Sequence, residues 1–333
     1  VALLAVGAPA FNVFMLISPV YRDCVCFVYG TFGGEPKPVG TAFFLGVSTP
    51  PVRWLVVVTA LHVVANIQQK SDDGKTYLRV NTKDGGFRLV EIEAEKWMKP
   101  DVSEEVIDIA FCQWESLPNS SEFDIRCVGS ELAATPEVIS SEQIGIGNEV
   151  AFAGLFVRHH GKQRNEPIMR FGNICAMPTD PVASRIGEIE AYLVESRSVG
   201  GLSGSPVFVD VGLLRLEGNV RQYRRGDDKP ALYLLGVVQG HWDAPIESAP
   251  VDKGITSAVV TPELVNMGIA VVTPISKVFD VIDRSLYGKA IRAFAAKFQE
   301  APPTLDDLDE HGQIKFEVPI PPDDDDEDAG TKE

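Results

Sequence analysis

The sequence contains no CxxC pair and no group of cysteines and histidines at metal-ligating spacing. Its cysteine count is odd: Cys24, Cys26, Cys112, Cys127 and Cys175. Neither a disulfide framework nor a zinc site is indicated, and no metal or other cofactor is expected. Cys24 and Cys26 stand two apart in an apolar run, so they would project from one face of a strand as small buried hydrophobes. Thiols used in this way suit a reducing, cytoplasmic compartment. A basic stripe is also lacking. Lys and Arg number 30 against 47 Asp and Glu, for a formal charge of −17, and phosphate binding needs clustered cations, so a nucleic-acid partner is set aside. Nor is there an uninterrupted apolar run of membrane length. The opening "VALLAVGAPAFNVFMLIS" has the character of a signal-peptide core, but Gly7, Pro9 and Asn12 interrupt it and no basic segment precedes it. Residues 1–20 read as a packed apolar segment, or as a stretch upstream of a natural start at Met15, with no membrane partner.

What is present is enough for a large core: 333 residues, 45% of them hydrophobic and 23% charged. The acidity is concentrated at one end. Twelve acidic and two basic side chains fall within 301–333, which leaves a mild −7 for the preceding 300 residues. Between 24 and 272 the apolar runs are short, rich in Val, Ile and Phe, and separated by Gly, Pro, Asn or Asp. Examples are "CVCFVYG", "GTAFFLGV", "RWLVVVTALHVV", "DIAFCQW", "NEVAFAGLF", "SPVFVD" and "LYLLGVVQG". About a dozen strands at this spacing, without helical periodicity between them, predict an antiparallel all-β body, a sandwich or barrels. Two sets of about six strands would fit a duplicated barrel.

From 274 the pattern changes. Val278, Ile282, Leu286, Ala290, Ala293 and Phe294 recur at steps of three and four, with Ser276 placed to cap. This predicts one amphipathic helix, softened near Gly288. Beyond it, "APPTLDDLDE" and "PIPPDDDDEDAGTKE" carry too much proline and charge to pack and read as a disordered acidic tail. Within that tail "IKFEVPI" alternates apolar and polar residues as an edge strand or an extended peptide ligand would. Both a solvating tail and a site for a regulatory partner fit the sequence. The resulting divisions are an apolar segment (1–20), a first β unit (21–125), a second (126–272), a helix (273–300) and the tail (301–333).

Three short segments carry chemistry. "GGLSGSPVF" sets Ser203 between small residues at the mouth of a strand, "VVVTALHVV" places His62 at the end of a hydrophobic strand, and "EEVIDIAFC" places Asp108 just before another. Singly, each has an ordinary reading as a turn serine, a core histidine or a strand-opening aspartate. Together they suit one task. A serine hydroxyl is a poor nucleophile until an imidazole takes its proton, and a carboxylate must hold that imidazole in the right tautomer.

The order His62, Asp108, Ser203, together with "GTAFFLG", "TALH", "DIAF", "GLSGSP" and "LLGVVQGH", resembles the trypsin-like serine proteases of the chymotrypsin fold, from about Cys24 to Phe279. The resemblance implies two six-stranded antiparallel barrels with a cleft between them and a C-terminal helix. It also implies a serine endopeptidase acting on a protein or peptide substrate through an acyl-enzyme. Ser203 would be the nucleophile, His62 the base and then acid, and Asp108 the orienting carboxylate, with the N–H groups of Gly201 and Ser203 as the oxyanion hole. Arg197 would lie near the base of the S1 pocket, favouring an acidic P1 residue, unless it faces solvent or pairs with a carboxylate. Gln239, Gly240 and His241 would line the wall. Some positions depart from the family. Leu202 stands where secreted trypsins have the aspartate that receives a new N-terminus, Val63 replaces the usual cysteine after the histidine, and the cysteines around the serine are absent. These departures point to the intracellular bacterial-type branch. The alternatives are a catalytically silent protease-fold scaffold and an esterase using the same triad. His159 and His160, in "VRHHGKQRNE", fit a solvated loop better than a metal site, since no third ligand is nearby in sequence.

Overall fold

The structure, a computed structural model, describes residues 17–100, 106–114, 120–184, 186–196, 200–212, 214–217, 220–223, 230–245 and 264–300. After a short helix α1 (Pro19–Asp23) the chain forms strands β1 (Val25–Phe32), β2 (Glu35–Thr49) and β3 (Val52–Thr59). Helix α2 (Leu61–Lys70) follows, then β4 (Thr76–Asn81), β5 (Phe87–Ile92), β6 (Ala110–Gln113) and the two-residue β7 (Val128–Gly129). They make one sheet in the order β5-β4-β1-β2-β3-β6, antiparallel throughout, to which β7 adds in parallel beside β2. The six-stranded unit closes through a single bridge: Met98, just beyond β5, exchanges both backbone hydrogen bonds with Phe111 of β6 at 2.8 and 3.0 Å.

The near-continuous apolar run in β1 has a simple cause. Side chains alternate across a strand, and here both faces are covered. Cys26 and Val28 face a core with Val57, Val63, Ile67, Leu78 and Trp114. Phe27 and Tyr29 face a second core that also takes Leu155, Phe208 and Leu234 from the other half of the chain. The two halves therefore share one core.

The second half adds α3 (Pro136–Ser141), β8 (Glu149–Gly154), β9 (Ile168–Ala176), the hairpin β10 (Val182–Ser184) and β11 (Gly187–Ile189), β12 (Tyr192–Glu195), and β13 (Pro206–Asp210). A second hairpin, β14 (Leu214–Glu217) and β15 (Val220–Tyr223), precedes β16 (Leu232–Pro245) and β17 (Leu264–Pro274). Six of these close into a barrel, β12-β17-β16-β13-β8-β9, packed inside with Phe152, Val194, Val207, Leu235 and Val272. The protein is all-β in its body, with two six-stranded units and C-terminal helices.

Two local expectations change. The run "RWLVVVTALHVV" is not strand to its end: β3 stops at Thr59 and His62 lies in the first turn of α2. The helix buries Val63, Val64 and Ile67 on one stripe, a spacing of one and three that the β-branched residues disguise as strand. At the C-terminus there are two helices, α4 (Ile275–Arg284) and α5 (Leu286–Glu300), with Pro274 rather than Ser276 at the start of α4. The break falls at Ser285, whose Oγ donates to the Ile282 carbonyl (2.5 Å) and accepts from Gly288 N–H (2.9 Å). It resets the phase of the apolar stripe. Tyr287, Ile291 and Ala295 are buried while Leu286 is 64% exposed, and Tyr287 stacks edge-on against Trp54 of the first unit. A side chain at Gly288 would meet the Ile282 carbonyl at 2.1 Å, so glycine there serves the close turn between helices. The apolar start before residue 17, the acidic tail and Arg197 lie outside the described residues. Among those described, no helix is long and apolar enough to cross a membrane.

Candidate active site

β6 pairs with β3 so that Ala110 stands opposite Thr59. Asp108, two residues before β6, is thereby carried to the start of α2, where the N-cap residue Ala60 offers no side-chain cap. The first N–H groups of a helix lack internal partners, and Asp108 meets that need from across the sheet. Its Oδ1 accepts the His62 N–H at 2.8 Å, and its main-chain carbonyl accepts Leu61 N–H at 3.3 Å. Its second oxygen, Oδ2, lies 2.6 Å from His62 Nδ1. One carboxylate thus caps the helix and orients the ring on it. Asp108 is 3% exposed, whereas the imidazole keeps about a third of its surface open.

Ser203 lies in the tight turn leading into β13. Gly201 has φ +101° and Gly204 φ +88°, values that L side chains avoid. At Gly204 a Cβ would also sit 2.0 Å from the Thr41 carbonyl and 2.4 Å from Thr59 Oγ1. Only glycine can occupy that position without moving β2 and β3. The turn is pinned to the first unit by one buried residue, Thr41. Its hydroxyl donates to the Gly201 carbonyl (2.7 Å) and accepts Leu155 N–H (2.9 Å), its own N–H donates to the Ser203 carbonyl (2.9 Å), and its carbonyl accepts Thr59 Oγ1–H (2.7 Å). A Cβ on Gly40 would lie 3.2 Å from the Ser203 carbonyl and 2.8 Å from Val63, so the serine turn and the histidine helix meet at that glycine.

The Ser203 hydroxyl donates to the Gln239 carbonyl at 3.1 Å. Among the described residues no hydrogen bond joins it to His62. Gln239 sits at a register shift between β16 and β17, and such a bulge turns a carbonyl out of the ladder. Gly240 and His241 continue the strand opposite Val271 and Ala270. The N–H groups of Gly201 and Ser203 are not taken by other groups among the described residues, whereas Gly204 N–H is bonded to the Val238 carbonyl. His159 pairs with Glu166 at 3.2 Å and His160 Nδ1 lies 2.9 Å from the Val157 carbonyl, both in the loop before β9. All five cysteines are free; Cys24, Cys26 and Cys112 are buried, and burial pushes their thiols well above the ordinary range. Sequence reading missed Thr41 and Leu155 as parts of this site. The signal for Thr41 was a lone polar residue inside the apolar run "GTAFF"; Leu155 carries none, because nothing distinguishes it from any core leucine.

No family model matches the chain, and no curated protein is similar to it in sequence. Among solved structures, matches span most of the chain at low identity. The apo MamO protease domain from Magnetospirillum magneticum shares 16% identity, with 78% of this chain and 96% of that one covered at a TM-score of 0.45. The tobacco vein mottling virus protease shares 13% identity over 82% of this chain and 84% of that one, at a TM-score of 0.36.

Proposed function

We propose that this protein is a serine endopeptidase in which Ser203 attacks a peptide carbonyl, His62 takes and returns the proton, and Asp108 holds the imidazole. The observation that carries the reading is the two-point grip of Asp108 on His62, backbone and ring, beside a serine turn held by two positive-φ glycines. In the first step His62 Nε2 accepts the Ser203 proton as Oγ bonds to the carbonyl carbon. The oxygen that gains charge is met by Gly201 and Ser203 N–H groups, a term worth about 3–4 kcal/mol per donor. His62 then passes the proton to the leaving amine, and water repeats the sequence on the acyl-enzyme. Before attack the Ser203 hydroxyl must leave the Gln239 carbonyl, a rotation about one side-chain bond. The strand from Gln239 to His241 offers its edge to an extended peptide. The five free thiols support a reducing compartment.

The Ser203–Gln239 bond also favours a second reading, a protease-fold scaffold without turnover. A library of fluorogenic peptides distinguishes the two. The endopeptidase reading expects cleavage by the full-length protein and a loss of roughly 10⁴- to 10⁶-fold in Ser203→Ala. Turnover by the wild type no greater than that of Ser203→Ala would establish the scaffold.

A further inference from the structure

Arg79, in β4, is 3% exposed, yet its guanidinium is met by neutral groups. Nη1 donates to the His160 carbonyl (3.0 Å) and Asn165 Oδ1 (2.9 Å), and Nη2 to the carbonyls of Gly161 (2.9 Å) and Lys162 (3.3 Å). The Tyr29 hydroxyl is beside it, and the guanidinium carbon lies 3.8 Å over the Phe87 ring. A buried cation is tolerated only when its donors are satisfied. Here the acceptors come from three successive residues of one loop in the other half of the chain, so satisfying the charge dictates the path of that loop. Asn165 completes the grip by donating its Nδ2–H to the Arg79 carbonyl (2.6 Å) and its N–H to Asn81 Oδ1 (2.7 Å).

The loop begins at Leu155, directly after β8. Leu155 is fully buried, donates to the Thr41 hydroxyl, and places its carbonyl and side chain 3.0–3.1 Å from where a Cβ on Gly201 would be. One end of the loop thus forms the floor beneath Gly201, while the other is held by Arg79. His159 and the end of the same loop, Arg164 to Pro167, wall a polar cavity of about 650 Å³ shared with Arg22, Asp124 and Arg126, so solvent reaches the loop on the side away from the Arg79 guanidinium.

We propose that Arg79 is a positioning residue: by clasping the 156–166 loop to the first unit it fixes Leu155, and through Leu155 the backbone of Gly201. Its catalytic consequence rests on the endopeptidase reading, whereas the clasp itself does not.

The test compares full-length wild type with Arg79→Met and Arg79→Lys by hydrogen–deuterium exchange, and by kcat and KM where turnover is measured. Arg79→Met should speed exchange both in peptides covering 156–166 and in those covering 200–205, leaving β2 and β3 unchanged. Its kcat should fall about 10- to 100-fold, less than the roughly 10²- to 10³-fold for loss of an oxyanion donor, with KM within about threefold. Arg79→Lys, whose ammonium reaches fewer carbonyls, should lie between, and it carries the comparison if Arg79→Met does not fold. Faster exchange confined to 156–166, with 200–205 unchanged, overturns the proposal; so does a loss that falls on KM alone. If the wild type shows no turnover, the endopeptidase reading falls, and the exchange at 200–205 still decides the clasp.

Discussion

Replacing Thr41 by valine removes one hydroxyl and almost no volume. That hydroxyl is fully buried and joins two main-chain groups of the other half, the Gly201 carbonyl at 2.7 Å and Leu155 N–H at 2.9 Å. In Thr41→Val both groups stay buried without the partner, and each unsatisfied buried group costs about 1–3 kcal/mol, so the variant should lose about 2–6 kcal/mol. Thr41→Ser keeps the hydroxyl and gives up one methyl group, a loss of about 1 kcal/mol. The pair therefore separates hydrogen bonding from packing at one position. Urea unfolding of both variants, with unchanged m-values to certify the same unfolding reaction, measures the difference. On the endopeptidase reading, Thr41→Val should also lose turnover more than substrate affinity, because the freed Gly201 carbonyl would loosen the turn that carries the proposed oxyanion donors. A valine variant as stable as the serine variant would refute the view that Thr41 holds the serine turn by its hydroxyl.

Other positions give independent checks. Gly204→Ala combines a φ of +88° with a Cβ 2.0 Å from the Thr41 carbonyl; strain and overpacking together should cost about 2–5 kcal/mol, read as a lowered melting temperature. Asp108→Asn keeps an acceptor for the His62 N–H but presents the wrong partner to Nδ1, so melting should hardly move, and on the endopeptidase reading kcat should fall roughly 10⁴-fold, the scale for a mis-set tautomer in a Ser-His-Asp triad. Brief iodoacetamide treatment of native protein at pH 8 should modify Cys127 and Cys175 slowly and spare Cys24, Cys26 and Cys112, whose burial removes access and raises the thiol pKa; mass spectrometry after unfolding should find all five reactive. The Asp73 carboxyl is held below its ordinary range by Lys75 N–H and by the Tyr77 and Thr31 hydroxyls. Its contribution to stability is therefore present above the unfolded carboxylate pKa of about 3.9 and is lost as pH falls through the lower folded value. Asp73→Asn should melt below wild type at pH 7 and approach it as the pH falls through that window.

The parts of this molecule legible in the sequence are those set by local pattern. Short β-branched runs between turn residues announce two sets of strands; Asp108 and Ser203 stand out just before β6 and β13, and His62 stands out just after β3, although it lies in the first turn of a helix. What was hidden depends on partners far along the chain. Helix α2 is masked because its apolar stripe is made of Val63, Val64 and Ile67 and Ala60 offers no side-chain cap; the cap comes from Asp108, in the segment leading into β6. The break at Ser285 was misplaced to Gly288 because the serine ends one helix and begins the next, while the glycine only makes room for the crossing. Thr41 and Arg79 reach the other half of the chain through groups more than eighty positions away, and no window of sequence relates them.

The most direct measurement of the central claim is covalent labelling of the native full-length protein with a fluorophosphonate, followed by intact mass and peptide mapping. A serine activated by His62 should take up one adduct, mapped to Ser203. Ser203→Ala should take up none, and His62→Ala should label far more slowly. A wild-type protein that stays unlabelled, or an adduct that maps to any serine other than Ser203, would contradict the account.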